Sequence, residues 1–417
     1  MPSVLLISTL DTKGRETEYL AGRVSFCGCR PIVMDLSMRE GSVLQADLPA
    51  HAVARAGGMS WEEVVGSQER ARITEAMISG GKTLARAMVE EGRVHGILGL
   101  GGSTGSLMAT EIMRGVPFGV PKLMISSTAA LPGLSTRYIG TGDIALFHTV
   151  VEIAGLNDLL RNVLDRAALA ISGMVLGERT ETVRRAPGRA ALRIAMTMLG
   201  PCERCASRVR ASLEAWGAQV IGFSAAGVCD RAMEEMIAQG LFDGVVELAP
   251  GAVGEHILGG MRDAGPHRLE NAGRMGLPQV IAPCGVNHLT PSRSRYRPED
   301  HRRRKYDLDR YRTWLRATPE ELKIIARAFA SKLNLSSAPV VFLFPKRGWS
   351  SVDRPGLPTY DPAEDLLFVE ELRSYVGGHV QIREVEDNLE EPAFADAVVQ
   401  ACEELFLARD ARVVRRP

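Results

Sequence analysis

Three short segments at the ends of strand-like runs offer backbone N–H groups, small hydroxyls, or both, the pattern that holds an anion. They are Ser8-Thr9-Leu10-Asp11-Thr12-Lys13-Gly14, Gly101-Gly102-Ser103-Thr104-Gly105-Ser106 and Ser126-Ser127-Thr128. Glycine lets the main chain approach a phosphate closely, and a helix starting there turns its free N–H groups and positive end toward the charge. Lys13 adds a point charge. Three such loops in one half of the chain suit a polyphosphate better than a single carboxylate. A carboxylate beside a phosphate site holds Mg²⁺ through one or two oxygens. That makes Asp11 and Asp143, the latter in Tyr138-Ile139-Gly140-Thr141-Gly142-Asp143, the metal candidates. Asp143 has a second reading, as the cap of a helix beginning at Ile144.

Neither standard phosphate motif is intact. Gly99-Leu100-Gly101-Gly102-Ser103-Thr104 carries Thr104 where the dinucleotide fingerprint has its third glycine. Gly80-Gly81-Lys82-Thr83 imitates the tail of a P-loop, but Ala76 stands at its first glycine and the segment reads as helix.

Other residue groups admit chemistry of a different kind. Cys202-Glu203-Arg204-Cys205 is a CxxC without a second ligand pair, open to redox use or to plain packing. Glu247 to Glu255 and Pro283-Cys284-Gly285-Val286-Asn287-His288 follow strand-like runs. They are expected to face a cleft between the halves, with Glu255 or His256 as acid–base candidates. Between Arg293 and Arg316 stand nine arginines and Lys305 against four acids. Such a run either clamps a small anionic metabolite or forms a solvated face. Lys346-Arg347-Gly348-Trp349-Ser350-Ser351 is another anion-friendly turn.

The elements that must position these residues alternate strand and helix. Val4 to Ser8 reads as a buried strand, Thr9 to Gly14 as a loop, Glu16 to Phe26 as a helix and Pro31 to Met34 as the next strand. That is a βαβ unit, hence a parallel sheet. Ile73 to Glu91 has helical apolar spacing, His95 to Leu100 and Val120 to Ile125 read as strands, and His148 to Gly173 as a long helix. The second half repeats the order: strand Arg193 to Thr197, a loop at Gly200 to Cys205, a helix through Leu213, and strands Gln219 to Phe223 and Val340 to Phe344. Gly240 to Glu247 parallels Gly92 to Gly99, and Gly276 to Ile281 parallels Gly119 to Met124. The expected fold is α/β, two Rossmann-like doubly wound parallel-sheet domains in tandem, residues 1–180 and 190–417, joined near Leu176 to Arg189. The first half carries extra material around residues 36–72.

Bulk properties narrow the partners. At 417 residues the chain exceeds one ordinary core. Lys+Arg and Asp+Glu number 50 each, so no global field draws it to nucleic acid or an anionic membrane. Val4 to Leu10 follows Met1-Pro2-Ser3 without a charged n-region and reads as a strand, not a signal peptide. Seven scattered cysteines fit a reducing, cytoplasmic setting.

The first-half motifs resemble the Tm-one-like ATP-binding domain family. They are Ile7 to Gly14, Gly99 to Ser106, Ile125-Ser126-Ser127-Thr128-Ala129, and Gly142-Asp143 followed by Glu152 to Asn157. That family includes the N-terminal region of a plant tobamovirus-resistance protein and many bacterial proteins. The resemblance runs on through Glu255-His256, Pro278-Gln279-Val280 and Lys346 to Ser351. It implies ATP and Mg²⁺ binding and a homodimer. By position it carries nucleotide contacts to Thr12, Lys13, Gly14, Gly101, Gly102, Ser103, Thr104, Gly105, Ser127 and Thr128. The second half departs from the family pattern: Gly200 leads to Pro201-Cys202-Glu203 rather than a Thr-Thr pair, an acidic residue near Asn287 is replaced, and Arg302 to Arg312 is unusually basic. Three functions stay open at this point. They are an ATP-binding protein of unassigned reaction, an enzyme for a small phosphorylated or carboxylated metabolite, and a non-catalytic interaction protein set by ATP.

Overall fold

The apolar runs form two parallel sheets, one in each of two compact units, Met1–Arg184 and Arg185–Pro417. A computed structural model describes residues 1–41, 44–177, 191–310 and 312–407. Most of the expected join, from residue 178 onward, lies outside the described residues.

Unit 1 runs β1 (Ser3–Ser8), α1 (Leu10–Phe26), β2 (Arg30–Asp35), α2 (Ala50–Ala56), α3 (Trp61–Gly66) and α4 (Arg70–Glu90). It continues β3 (Gly96–Gly101), α5 (Ser103–Arg114), β4 (Lys122–Ser126), α6 (Leu134–Ile139), β5 (Ala145–His148) and α7 (Asp158–Leu176). The strand order is β2-β1-β3-β4-β5, all parallel. Strand residues alternate between faces. Leu5 and Ile7 therefore pack with Met77 of α4 and Ile112 of α5, while Val4 and Leu6 pack with Leu20 of α1 and Leu164 of α7. A strand buried on both faces has no place for a polar residue, hence its unbroken apolar run. The material around residues 36–72 supplies α2 and α3 to the first of these faces.

Two expectations for unit 1 are corrected. Thr9 to Gly14 is not a loop, because α1 starts at Leu10 with only Lys13 off helical geometry (φ −127°, ψ 19°). The segment before Asp158 is not helix either. Val150 and Gly155 have φ of 64° and 76°, which breaks any helix there. The true start of α7 is capped by Asn157, whose side chain accepts from the N–H of Leu160 at 3.0 Å.

Unit 2 runs β6 (Arg193–Met198), α8 (Glu203–Ala215), β7 (Gln219–Ser224), α9 (Val228–Ala238), β8 (Gly244–Glu247), α10 (Ala252–Leu258), α11 (Asn271–Arg274) and β9 (Gln279–Ile281). A small antiparallel insertion follows, β10 (His288–Leu289), β11 (Lys305–Asp307) and β12 (Thr313–Arg316). The unit then closes with α12 (Pro319–Leu333), β13 (Val340–Pro345), α13 (Pro362–Tyr375), β14 (Val380–Val385) and α14 (Pro392–Cys402). The parallel sheet is ordered β14-β13-β9-β8-β6-β7, and the insertion β10-β12-β11.

The two units share their registers. Val4 pairs with Gly96 and Ile194 with Gly244; Ser3 with Arg30 and Arg193 with Gln219; Ile97 with Lys122 and Val245 with Gln279. Each offset between the first strand, its neighbours and the next strand is thus reproduced. The repeat seen in the sequence is a repeat of geometry, and the chain is two Rossmann-like units in tandem.

Candidate functional site

In a sheet ordered 2-1-3-4-5, ligands bind outside the carboxyl ends of the strands where the order reverses, between the first and third. In unit 1 that point lies between the loops after β1 and β3. A cavity of about 280 Å³ opens there, lined among others by Asp11, Thr12, Lys13, Arg39, Arg70 and the Gly102-Ser103-Thr104-Gly105 turn.

The turn is shaped by close packing. A Cβ on Gly101 would meet Gly105 Cα at 2.9 Å, so the strand end and α5 touch backbone to backbone. Gly102 is the opposite case: a Cβ there would meet only Ser127 Oγ, at 3.8 Å, and would project into open space. α5 is 12 residues long and has no side-chain cap. Its first-turn N–H groups therefore retain their capacity for an anion. Beneath the turn runs a chain of hydroxyls. Ser106 Oγ lies 2.7 Å from Ser126 Oγ, Ser126 Oγ 3.2 Å from Thr128 Oγ1, and Thr128 Oγ1 2.8 Å from the Tyr138 hydroxyl.

The start of α1 is built differently. Asp35 Oδ1 accepts from the N–H of Leu10 at 3.1 Å, and Ser37 Oγ from that of Asp11 at 2.9 Å. This end is capped from the last residue of β2 and the loop after it, so it offers side chains rather than backbone donors. Lys13 Nζ donates to the carbonyl of Ile153. Asp11 Oδ1 is buried without a partner. Burial, and then the charge of Asp35, pushes the Asp11 carboxyl above its ordinary value, while Ser37 and Arg39 oppose the shift.

Seven of the expected residues meet at the cavity: Asp11, Thr12, Lys13, Gly102, Ser103, Thr104 and Gly105. Gly14 is buried in α1, and Gly101 serves the packing just described. Ser127 stands beside Gly102, with its hydroxyl 3.4 Å from Glu152 Oε1. Thr128 is tied into the hydroxyl chain by both its side chain and its N–H. Asp143 leaves the set. It precedes β5, a strand and not the helix expected from Ile144, and so sits at the amino ends of the strands. There it accepts from Lys122 Nζ at 2.7 Å and the N–H of Gly119 at 2.8 Å. Arg39 and Arg70 were missed. Arg39 follows β2, the strand beside β1, and a charge on the loop after a neighbouring parallel strand was a usable signal.

The second-half candidates are mostly engaged within their own unit. Glu255 is fully buried and holds Arg262 and Thr290, while His256 Nδ1 lies 2.9 Å from Asp263. Asn287 donates to Asp353 and Asp365 at 2.7 and 2.9 Å. Among the arginines, Arg303 pairs with Glu321, Arg316 with Asp365, Arg297 with Asp300 and Arg312 with Asp309. Lys346 pairs with Glu386. Cys202 and Cys205 are free thiols in the core. Burial raises the Cys205 thiol well above its usual range, which makes it inert packing rather than a nucleophile. Among the described residues no group of three or more His, Cys, Asp or Glu is placed to hold a metal ion, and no helix is long and apolar enough to cross a membrane.

Comparison with known proteins places this geometry among relatives. Residues 2–180 match the N-terminal domain, and residues 191–406 the C-terminal domain, of the uncharacterised protein family UPF0261. A UPF0261 protein of Clostridium tetani is 32% identical over 399 residues, covering 95% of this chain and 97% of that one. One from Rhizobium meliloti is 32% identical over 404 residues, 96% and 98% of the two chains. The ToMV resistance protein Tm-1(GCR237) of Solanum lycopersicum is 28% identical over 419 residues, which are 96% of this chain and 55% of the tomato protein.

Proposed function

The chain belongs to the UPF0261 family, and from that premise we propose that its N-terminal unit binds a Mg²⁺-nucleotide, ATP in the first instance. The observation that carries this reading is the cavity at the strand-order reversal, where the uncapped start of α5 faces Lys13, Arg39 and Arg70. An anion there gains the helix-end N–H groups and cationic side chains together. At about 280 Å³ the cavity suits the phosphates alone. A neighbouring groove of about 750 Å³ between α4 and α5 shares Arg70 and Thr104 with it and has room for the nucleoside.

Asp11 fits Mg²⁺. Its buried Oδ1 has no other partner, and a cation there relieves the repulsion from Asp35. Mg²⁺ bound by one carboxylate plus substrate phosphates is the common arrangement. In this reading the start of α5 would hold the phosphates, Lys13 would offset their charge, and Asp11 would hold the Mg²⁺ ion, which would supply further charge neutralisation. The exposed Leu159, Leu169 and Met174 of α7 support a homodimer, which sedimentation velocity reads directly.

Calorimetric titration with ATP, with and without Mg²⁺, tests the site. Gly102→Asp places a carboxylate in open space without a clash, and at least a hundredfold loss of affinity is expected. Asp11→Asn is expected to remove the Mg²⁺ dependence while leaving weak metal-free binding. Unchanged affinity in Gly102→Asp would place the nucleotide elsewhere.

A further inference from the structure

Unit 2 repeats the sheet of unit 1 but packs the corresponding reversal point closely. Matching registers put Pro250 and Gly251 where unit 1 has Gly102 and Ser103. A Cβ on Gly251 would meet the carbonyl oxygen of Gly285 at 2.3 Å, so the loop after β9 fills the reversal point. α10, which starts there, has only seven residues. A cavity of about 1000 Å³ lies to one side, outside the ends of β6 and β7.

Its walls differ in chemistry from those of unit 1. Met198, Leu199 and Phe223 form an apolar floor, and the antiparallel insertion adds Tyr306 and Trp314. Trp314 is nearly buried, with the Arg262 guanidinium 5.1 Å from its ring centroid. Among the described residues three arginines line the space, Arg210, Arg262 and Arg312, against one acid, Glu203. Each is held from outside the lining, by Glu214 at 2.9 Å, Glu255 at 2.7 Å and Asp309 at 2.6 Å. The partner carboxylates orient the guanidiniums without entering the cavity. Arg262 is the most firmly placed, since fully buried Glu255 takes both its Nε and Nη2.

We propose that this cavity is a second ligand site, independent of the nucleotide reading, which takes an aromatic carboxylate. Flat apolar surface beside Trp314 and Tyr306 accepts a ring. A planar carboxylate matches a pre-oriented guanidinium edge. The volume is far too large for a bare anion and falls at the upper end for small-molecule pockets. The insertion that supplies the aromatic wall has no counterpart among the described residues of unit 1, whose five strands form a single sheet.

The test titrates the full chain with naphthoate and, in parallel, with its neutral counterpart naphthalenemethanol, by calorimetry and tryptophan quenching. Saturable one-to-one binding of naphthoate is expected, at least tenfold tighter than the alcohol. Gly200 lines the cavity and has nothing within 4 Å of an added Cβ. Gly200→Leu is therefore expected to weaken naphthoate at least tenfold with an unchanged melting temperature. Leu308→Glu, on an exposed part of the wall, is expected to weaken naphthoate but not the alcohol. No saturable naphthoate binding up to millimolar concentration overturns the site. Undiminished binding by a folded Gly200→Leu does so too. Equal affinity for acid and alcohol, or equal loss of both in Leu308→Glu, overturns the carboxylate. ATP binding in the same variants is expected to be unchanged, so failure here is distinct from failure at unit 1.

Discussion

At matching positions of the two sheets, unit 1 pairs Ile7 with Gly99 and unit 2 pairs Thr197 with Glu247. The first pair is apolar and closely packed. The second is polar, with Thr197 Oγ1 donating to Glu247 Oε2 at 2.9 Å. Around it, fully buried Arg268 joins Glu247, Asp230 and Glu234. Unit 1 thus places a chain of neutral hydroxyls beneath its glycine turn and leaves a helix start uncapped. Unit 2 fills the same region with ion pairs and closes the reversal point. One backbone geometry supports an open polar site or a sealed charged core, depending on a few side chains at the strand ends.

The largest expected effect comes from breaking the sealed core. Arg268→Met leaves three carboxylates without their counter-charge, and removal of one partner from a buried network costs about 3–5 kcal/mol. Denaturant unfolding should show that loss in unit 2 while the proposed ATP binding by unit 1 is unaffected. A loss below about 1 kcal/mol would mean the carboxylates are held neutral without Arg268.

The next largest effect concerns pH. Asp353 Oδ1 and Asp365 Oδ2 are buried with no donor from any other residue, while Asn287 donates to the second oxygen of each. Trp349 N–H also serves Asp353, Arg316 also serves Asp365, and Glu364 stands 3.4 Å from Arg316. Burial, then the Asp353 charge, holds Asp365 well above the usual 3.8. The unfolded chain releases the Asp365 proton near the usual value, so folding loses stability as pH rises from there toward the folded value. The slope is up to about 1.4 kcal/mol per pH unit. Asp365→Asn keeps an acceptor for Arg316, gains a donor for Asp353 and cannot titrate. Its stability is expected to fall less steeply above about pH 4 and to exceed the parent's at neutral pH. Thermal melts across that range check it, and an unchanged slope would remove the pair from the account.

The smallest effect is a local one in unit 1. Asn157→Ala removes the cap of α7, which costs about 1 kcal/mol and lowers that unit's melting temperature by about 2–4 °C. A drop without change in ATP affinity would separate the stability of α7 from the site.

The sequence was legible where physics is local. Runs such as Val4 to Ser8 and Val340 to Phe344 are apolar because both faces of their strands are covered, and they lie where expected. Legibility failed where the deciding partner is distant. Asp11-Thr12-Lys13-Gly14 has the composition of a loop, but Asp35 and Ser37, more than twenty residues away, cap it as a helix. Val151, Ile153 and Leu156 keep helical spacing, yet positive φ at Val150 and Gly155 makes them a loop whose Ile153 is fully buried. Asp143 looked like a metal ligand until Lys122 occupied it. The basic run hid a three-stranded sheet because its ion pairs reach to α12 and α13. In the candidate site the glycine turn was readable, whereas Arg39 and Arg70 required knowledge of which loops adjoin.

Trp314, described as one wall of the large cavity, also fixes what light can report about this protein. Of its four tryptophans, Trp61 lies in unit 1, while Trp216, Trp314 and Trp349 lie in unit 2. Three of the four indoles that can report unfolding thus sit in the second unit. A fluorescence-detected unfolding curve therefore leans toward that unit, so coincidence with a circular-dichroism curve becomes a reading of whether the two melt together.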